Sequence, residues 1–213
     1  GGPSGAGKSS LIRGVAGAQQ PTAGEIRVDG AKHDSWDMEP LATFTRYVPQ
    51  EPTLFAGTVK DNIARFQSGD VDSKVVAAAQ QAGAHDMILK LPAGYDTPIQ
   101  LGGGGLSAGQ AQRIAIARAL YGEPTMVLMD EPNAHLDAIG EAELVRTLAD
   151  LKERGAAVVV VAHRAGILSA VDRILLLREG RLEKIGPRDE VLAYLAPKKA
   201  PQPISIAARR SGQ

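Results

Sequence analysis

The 213-residue chain contains no cysteine. That absence excludes a disulfide scaffold and cysteine-based zinc sites, and it fits a reducing compartment. Neither sign of charge is in excess: 24 Lys and Arg balance 24 Asp and Glu. A neutral chain carries no basic field of the kind that draws in nucleic acid, so no nucleic-acid partner is expected. Long hydrophobic runs are missing too. The longest, Ala156 to Ala162, is short against the roughly 20 residues needed to cross a bilayer. No secretory leader is recognisable. The first residue is Gly1 rather than Met and lies inside a motif, so the chain is read as a piece without its natural N-terminal part.

What is present is ordinary in amount and informative in order. Apolar residues make up 44% and charged residues 23%, as in common globular proteins. The length suits one α/β domain, with room for a small subdomain. Apolar runs and turn signals alternate as strands and helices, the pattern of a mostly parallel sheet flanked by helices. Helices are expected at Lys8–Gly17, Thr58–Arg65, Ser73–Gln81, His85–Leu89, Ser107–Tyr121, Ala138–Glu153 and Arg188–Leu195. Strands are expected near Glu25–Val28, Phe44–Val48, Thr125–Met129, Ala156–Val161, Arg173–Leu177 and Arg181–Ile185. The stretch from Ala196 to Gln213 is rich in Pro, Ala and charge, and reads as a disordered tail.

Gly2-Pro-Ser-Gly-Ala-Gly-Lys-Ser9 fits the phosphate-loop pattern GxxxxGK(S/T). Glycines let the backbone turn tightly, so that its N–H groups point at phosphate oxygens. The helix that starts there adds its positive end. Gly2, Pro3, Ser4, Gly5, Ala6, Gly7, Lys8, Ser9 and Ser10 are therefore the candidate nucleotide cradle. Lys8 is placed on the β- and γ-phosphates, and Ser9 on a Mg²⁺ ion. The bland alternative is a glycine-rich turn before a helix. The strand that such a loop follows would lie upstream of Gly1.

Thr125-Met-Val-Leu-Met-Asp130-Glu131 is an apolar strand tipped by two acids. Ligands gather at the carboxyl ends of parallel strands. Asp130 therefore stands where the Mg²⁺ of a bound triphosphate would be, and Glu131 where it can act on the attacking water. Leu106-Ser-Ala-Gly-Gln110 opens the long helix, and Ser107 and Gln110 have capping-box spacing.

The set as a whole is more specific than its parts. LSAGQ, the glycine run before it, the AQRIAIARAL after it and the acid-tipped strand resemble the ATP-binding domain of ABC transporters, whose signature is usually LSGGQ; here Ala108 takes the third place. The resemblance implies a P-loop NTPase fold with a small helical subdomain, over about residues 51–121 of an ATPase domain spanning 1–195. It implies that Ser107, Ala108, Gly109 and Gln110 face the γ-phosphate held by a second subunit. It places Gln50 as the glutamine that senses Mg²⁺ and the membrane domain. It further places Asn133-Ala-His-Leu-Asp137 as a loop crossing the dimer interface, and His163 as the switch histidine near the γ-phosphate. The six motifs are in order between Gly2 and His163. His33, His85 and His135 lack metal-ligand spacing and read as surface or loop residues; Trp36 reads as a packing residue.

Gln50 and Leu106 are 56 positions apart (106 − 50). That interval holds a compact subdomain, not the long coiled coil of DNA-repair relatives. Glu51-Pro-Thr-Leu-Phe-Ala-Gly-Thr-Val-Lys-Asp-Asn-Ile resembles exporters fused to membrane helices, and Asp130-Glu-Pro-Asn resembles the type I secretion subgroup. This likeness implies ATP hydrolysis with Mg²⁺, by a homodimer that sandwiches ATP at the cytoplasmic face of a bacterial inner membrane. The implied partners are upstream transmembrane helices, a periplasmic adaptor, an outer-membrane channel and a protein substrate. An exporter of lipid or drug, and a non-transport relative acting on ribosomes or DNA, remain the alternatives. One departure stands out: Gln100-Leu-Gly-Gly-Gly-Gly105 lacks the acidic residue that exporters often carry before the signature.

Overall fold

A computed structural model describes residues 7–19, 22–23, 25–28, 31–32, 44–163 and 165–196. The proposed tail from residue 197 on, the phosphate-loop residues Gly2–Ala6, His33 and Trp36 lie outside the described residues.

The two most apolar runs become neighbouring strands. Strand β3 (Thr45–Val48), β6 (Met126–Asp130) and β7 (Ala157–Val161) form one parallel sheet in that order. The register sets Val48 against Met129 and Asp130 against Val161. All three strands therefore end level, at one edge. The P-loop α/β expectation is borne out by this sheet and the helices around it. β7 has the sequence of a strand covered on both faces, yet Val159 stays 44% exposed. Its far side opens on an apolar cleft of about 650 Å³ that it shares with Leu11, Ile12 and Val15 and with residues Arg173–Leu175.

Before the sheet come helix α1 (Lys8–Val15) and a short antiparallel pair, β1 (Arg27–Val28) with β2 (Ala31–Lys32). Between β3 and β6 the chain builds a helical layer: α2 (Val59–Ile63), α3 (Asp72–Gln81), α4 (His85–Leu89) and α5 (Ala108–Leu120). Two-residue strands β4 (Gly57–Thr58) and β5 (Pro98–Ile99) pair antiparallel and close this layer. Helix α2 has only five residues and is held by its ends. Thr58 and Asp61 form a reciprocal capping box, which satisfies two orphan N–H groups. Asn62, fully buried, bonds Phe55 N–H (2.9 Å), Phe55 O (2.9 Å) and Thr58 O (3.0 Å). It fastens the segment after Gln50 to the helical layer.

Helix α6 (Ala138–Glu153) packs against β7 and against the helical layer, where the Thr147 hydroxyl donates to the Gln81 carbonyl at 2.7 Å, and the short α7 (Ala165–Leu168) packs on α6. One core joins the layers: Ile114, Ile116 and Leu120 of α5, Val127 and Met129 of β6, and Leu144, Leu148 and Leu151 of α6 belong to the same buried cluster. Each such side chain contributes about 1.5–3 kcal/mol on burial.

The C-terminal unit departs from the parallel pattern. β8 (Arg173–Arg178) and β9 (Arg181–Pro187) form an antiparallel hairpin, packed by Val191 of α8 (Arg188–Leu195). Its turn is Glu179-Gly180, both with positive φ (50° and 73°), the backbone that matches the strand twist in two-residue hairpins. No described helix is long and apolar enough to cross a membrane.

Candidate functional site

The level ends of β3, β6 and β7 create the site. Asp130 is the last residue of β6 and is 1% exposed. Its Oδ1 has no hydrogen-bond partner. A buried carboxylate with an unfilled oxygen is costly unless a cation or donor completes it. That orphaned atom fits the metal implied by the sequence.

Glu131 follows with φ 46°, and its N–H bonds the Val161 carbonyl at 2.9 Å. The left-handed backbone is rare for a non-glycine residue. It turns the chain out of the sheet and carries the Glu131 carboxylate toward the neighbouring strand ends. Oε1 lies 2.7 Å from His163 Nε2, and Oε2 accepts from Gln50 Nε2 at 3.3 Å. Gln50 stands two residues beyond β3, and His163 two beyond β7. Three residues far apart in sequence thus converge because their strands are in register. His163 donates from Nε2 whether it is charged or in the matching neutral tautomer.

On the nucleotide side, α1 begins at Gly7, whose φ of 83° suits glycine. No side chain caps this helix and no acid lies in its first turn, so none of its own residues offsets its positive end. Lys8 and Ser9 are half-buried in that turn, while Ser10 is exposed.

The signature segment is a capped helix start. Ser107 Oγ accepts from Gln110 N (3.2 Å), and Gln110 Oε1 accepts from Ser107 N (2.8 Å). The Ser107 hydroxyl acts here as acceptor, which leaves its proton for another group. Capping and phosphate contact are therefore compatible. Gly109 is required by a close approach: a Cβ there would lie 2.8 Å from the His135 carbonyl oxygen. The loop Asn133–Asp137 thus sits directly on the first turn of α5. Asp137 caps α6 through Gly140 N (2.7 Å) and pairs with Arg113 at 3.1 Å.

The contacts accordingly form two groups. Gln50, Glu131 and His163 meet at the sheet edge, with Asp130 beside Glu131 in the chain. Gly109, Arg113, His135 and Asp137 meet at the α5 joint. His135 Nε2, 3.5 Å from Glu51, reaches back toward Gln50. His85 is more than a loop residue: it opens α4 and bonds the Tyr95 hydroxyl at 2.8 Å. Burial pushes Tyr95 up to about 12. Sequence reasoning misses Asn62, Arg113 and Arg118. Arg118 donates to Thr53 O at 2.8 Å beneath the Phe55 ring. Burial, and after it the like charge of Arg65, lowers its pKa. The Thr58-x-x-Asp61 spacing is a capping signal that points to this region; nothing local marks Arg113 or Arg118.

Known proteins resemble this chain in sequence and in fold. The ABC transporter family profile matches residues 1–134. The chain is 46% identical over its whole length to the type I secretion system ATP-binding protein PrsD of Rhizobium meliloti (strain 1021), spanning 37% of that protein. It is 39% identical over 192 residues to the cyclolysin secretion/processing ATP-binding protein CyaB of Bordetella pertussis (90% of this chain, 27% of that protein). A bacterial Atm1-family ABC exporter solved with ATP bound superposes with a TM-score of 0.84 at 35% identity (91% of this chain, 34% of that one). The chain thus spans about a third of the length of such relatives.

Proposed function

The chain belongs to the ABC transporter family and carries its nucleotide-binding domain, and from that premise we propose that it hydrolyses ATP to power a bacterial type I protein exporter. The observation that carries the hydrolytic reading is Glu131, gripped by Gln50 and His163 beside the unfilled oxygen of Asp130.

In this reading residues 1–195 form one ATPase domain, with a helical subdomain over about 51–121 and a tail from 196. Gly2 to Ser10 cradle the triphosphate, and Lys8 offsets its charge. Mg²⁺, held by Ser9 and Asp130 with Gln50 beside it, would neutralise developing negative charge on the phosphates. Glu131 takes a proton from the attacking water as the water oxygen bonds the γ-phosphorus. The bond to the β–γ bridging oxygen breaks, and ADP and phosphate leave. His163 orients Glu131 and stands by the γ-phosphate. Because Glu131 is held by His163 and Gln50 in this state, those bonds must rearrange before it can serve the water.

The second half of the clamp comes from a partner subunit: Ser107, Ala108, Gly109 and Gln110 close over the γ-phosphate bound to the opposite phosphate loop. Asp137 follows in the interface loop. Phe55, Phe66 and Leu101 form exposed apolar surface on the helical layer, and Phe55 and Phe66 stack edge to face at 6.3 Å. This surface, lacking the usual acid before the signature, receives the transmembrane part through apolar contact. The domain then works at the cytoplasmic face of the inner membrane, with a periplasmic adaptor and an outer-membrane channel completing the path of a secreted protein. PrsD and CyaB, named for type I secretion and cyclolysin secretion, support that substrate class over lipid or drug.

The test is light scattering on the full-length protein bearing Glu131→Gln. Mg-ATP should bring the two ATPase domains together, and Ser107→Arg should prevent it. Domains that bind ATP yet never close, with Ser107→Arg silent, would refute the sandwich.

A further inference from the structure

Helix α5 buries seven residues, and six of them are apolar; the other is Gln112. Its side chain is 0% exposed, and neither its amide nitrogen nor its carbonyl oxygen has a hydrogen-bond partner. Leaving both ends of a buried carboxamide unpaired forfeits their hydration without return. In native proteins such groups are rare, and they mark stored strain, a working site or a bound water.

The position of Gln112 separates these readings. It lies one turn beyond Gly109 and about 60° around the helix axis from it. Gly109 is where the His135 carbonyl presses on α5. The next residue, Arg113, grips Asp137 through Nη2 while its Nε is buried and unpartnered. On the loop side, Asn133 is 3% exposed and its Nδ2 is also unpartnered. The first turns of α5 thus carry an unfilled acceptor, Gln112 Oε1, and an unfilled donor on Arg113, and the loop that packs on this helix start carries an unfilled donor on Asn133. The loop starts two residues after Glu131, so any slide along this joint moves Glu131 relative to the signature turn.

Resting on the hydrolytic reading above, we propose that Gln112 is a positioning residue for hydrolysis. Its carboxamide is the latent partner of the Asn133–Asp137 loop, engaged when loop and helix shift to set Glu131 for the attacking water. The unpaired groups of this structure leave helix and loop free to shift; pairing in the closed state holds them. Another candidate partner is the buried, unpartnered hydroxyl of Tyr47 on β3, against which α5 also packs.

The experiment uses the full-length protein with Gln112→Met, Asn133→Ala, the double variant and Tyr47→Phe, reading kcat, KM for Mg-ATP and thermal unfolding. Methionine keeps the volume and removes both unpaired groups, so stability should hold or rise. KM should stay within about twofold while kcat falls about tenfold, the signature of an interaction made in the transition state. Asn133→Ala should behave alike, the double variant should be no slower than either single one, and Tyr47→Phe should be silent. Normal kcat in Gln112→Met would overturn the proposal. So would a lowered melting temperature with additive losses, which marks plain packing, or Tyr47→Phe reproducing the defect. Glu131→Gln serves as the control. If that variant still turns over, the hydrolytic reading itself fails. If it is inactive while Gln112→Met is normal, only the role of Gln112 fails.

Discussion

Gly109→Ala is a small change with a defined obstacle. In most helices alanine in place of glycine is favourable, by up to about 1 kcal/mol. Here the new Cβ would stand 2.8 Å from the carbonyl oxygen of His135. That atom is backbone, so relief requires the loop or the helix start to move. Overpacking costs about 1–3 kcal/mol; against a backbone atom the upper part of that range applies, about 2–3 kcal/mol, so that after the propensity gain of about 1 kcal/mol a net loss of about 1–2 kcal/mol remains. For a domain of this size that is a fall in melting temperature of roughly 2–8 °C. The displacement falls on the signature turn and on the loop leading to Asp137, so ATP turnover should fall by at least about tenfold, well beyond the stability loss. Ala108→Gly is the control: Ala108 is exposed, and that change should cost only about 0.5–1 kcal/mol. Thermal unfolding and steady-state turnover of the full-length protein are the assays. A Gly109→Ala protein at least as stable and as active as its parent would refute the packing argument.

The helical layer gives two more expected outcomes. Asn62→Ala removes three bonds and leaves the Phe55 and Thr58 backbone groups unpaired, so denaturant unfolding should show a loss of about 2–4 kcal/mol; a loss below about 0.5 kcal/mol would contradict the fastening role. Asp61 is held below the ordinary carboxylate pKa by the Thr58 backbone N–H, and next by its hydroxyl. A depressed pKa gives stability that is present above the unfolded value and lost as pH falls through the folded one. Asp61→Asn should therefore flatten the acid limb of the stability–pH curve below about pH 4, and an unchanged limb would count against the capping box.

Much of this molecule can be read in the chain because its signals are local. Helix α6 begins after Asp137, which caps it, and ends at Glu153 as its periodicity implies. Ser107 and Gln110 cap α5 as their spacing requires. The valine run and the acid-tipped run form adjacent parallel strands. What sequence alone did not reveal depends on contacts made far along the chain. Two-residue strands such as β4 and β5 are too short for any periodicity. The positive φ of Glu131 contradicts its residue preference and exists because its N–H reaches Val161. Gln112 sits in an apolar stretch without any mark of its unpaired state, since burial and partners are set by helix and loop together.

The central claim is that Glu131, which Gln50 and His163 hold in this structure, drives cleavage of the γ-phosphate once those bonds rearrange. The most direct measurement is phosphate release from Mg-ATP by full-length native and Glu131→Gln proteins, with bound nucleotide measured alongside. The account predicts that the variant binds ATP with near-native affinity and retains it uncleaved, with release reduced by at least about a hundredfold. Near-normal release by the variant would contradict it.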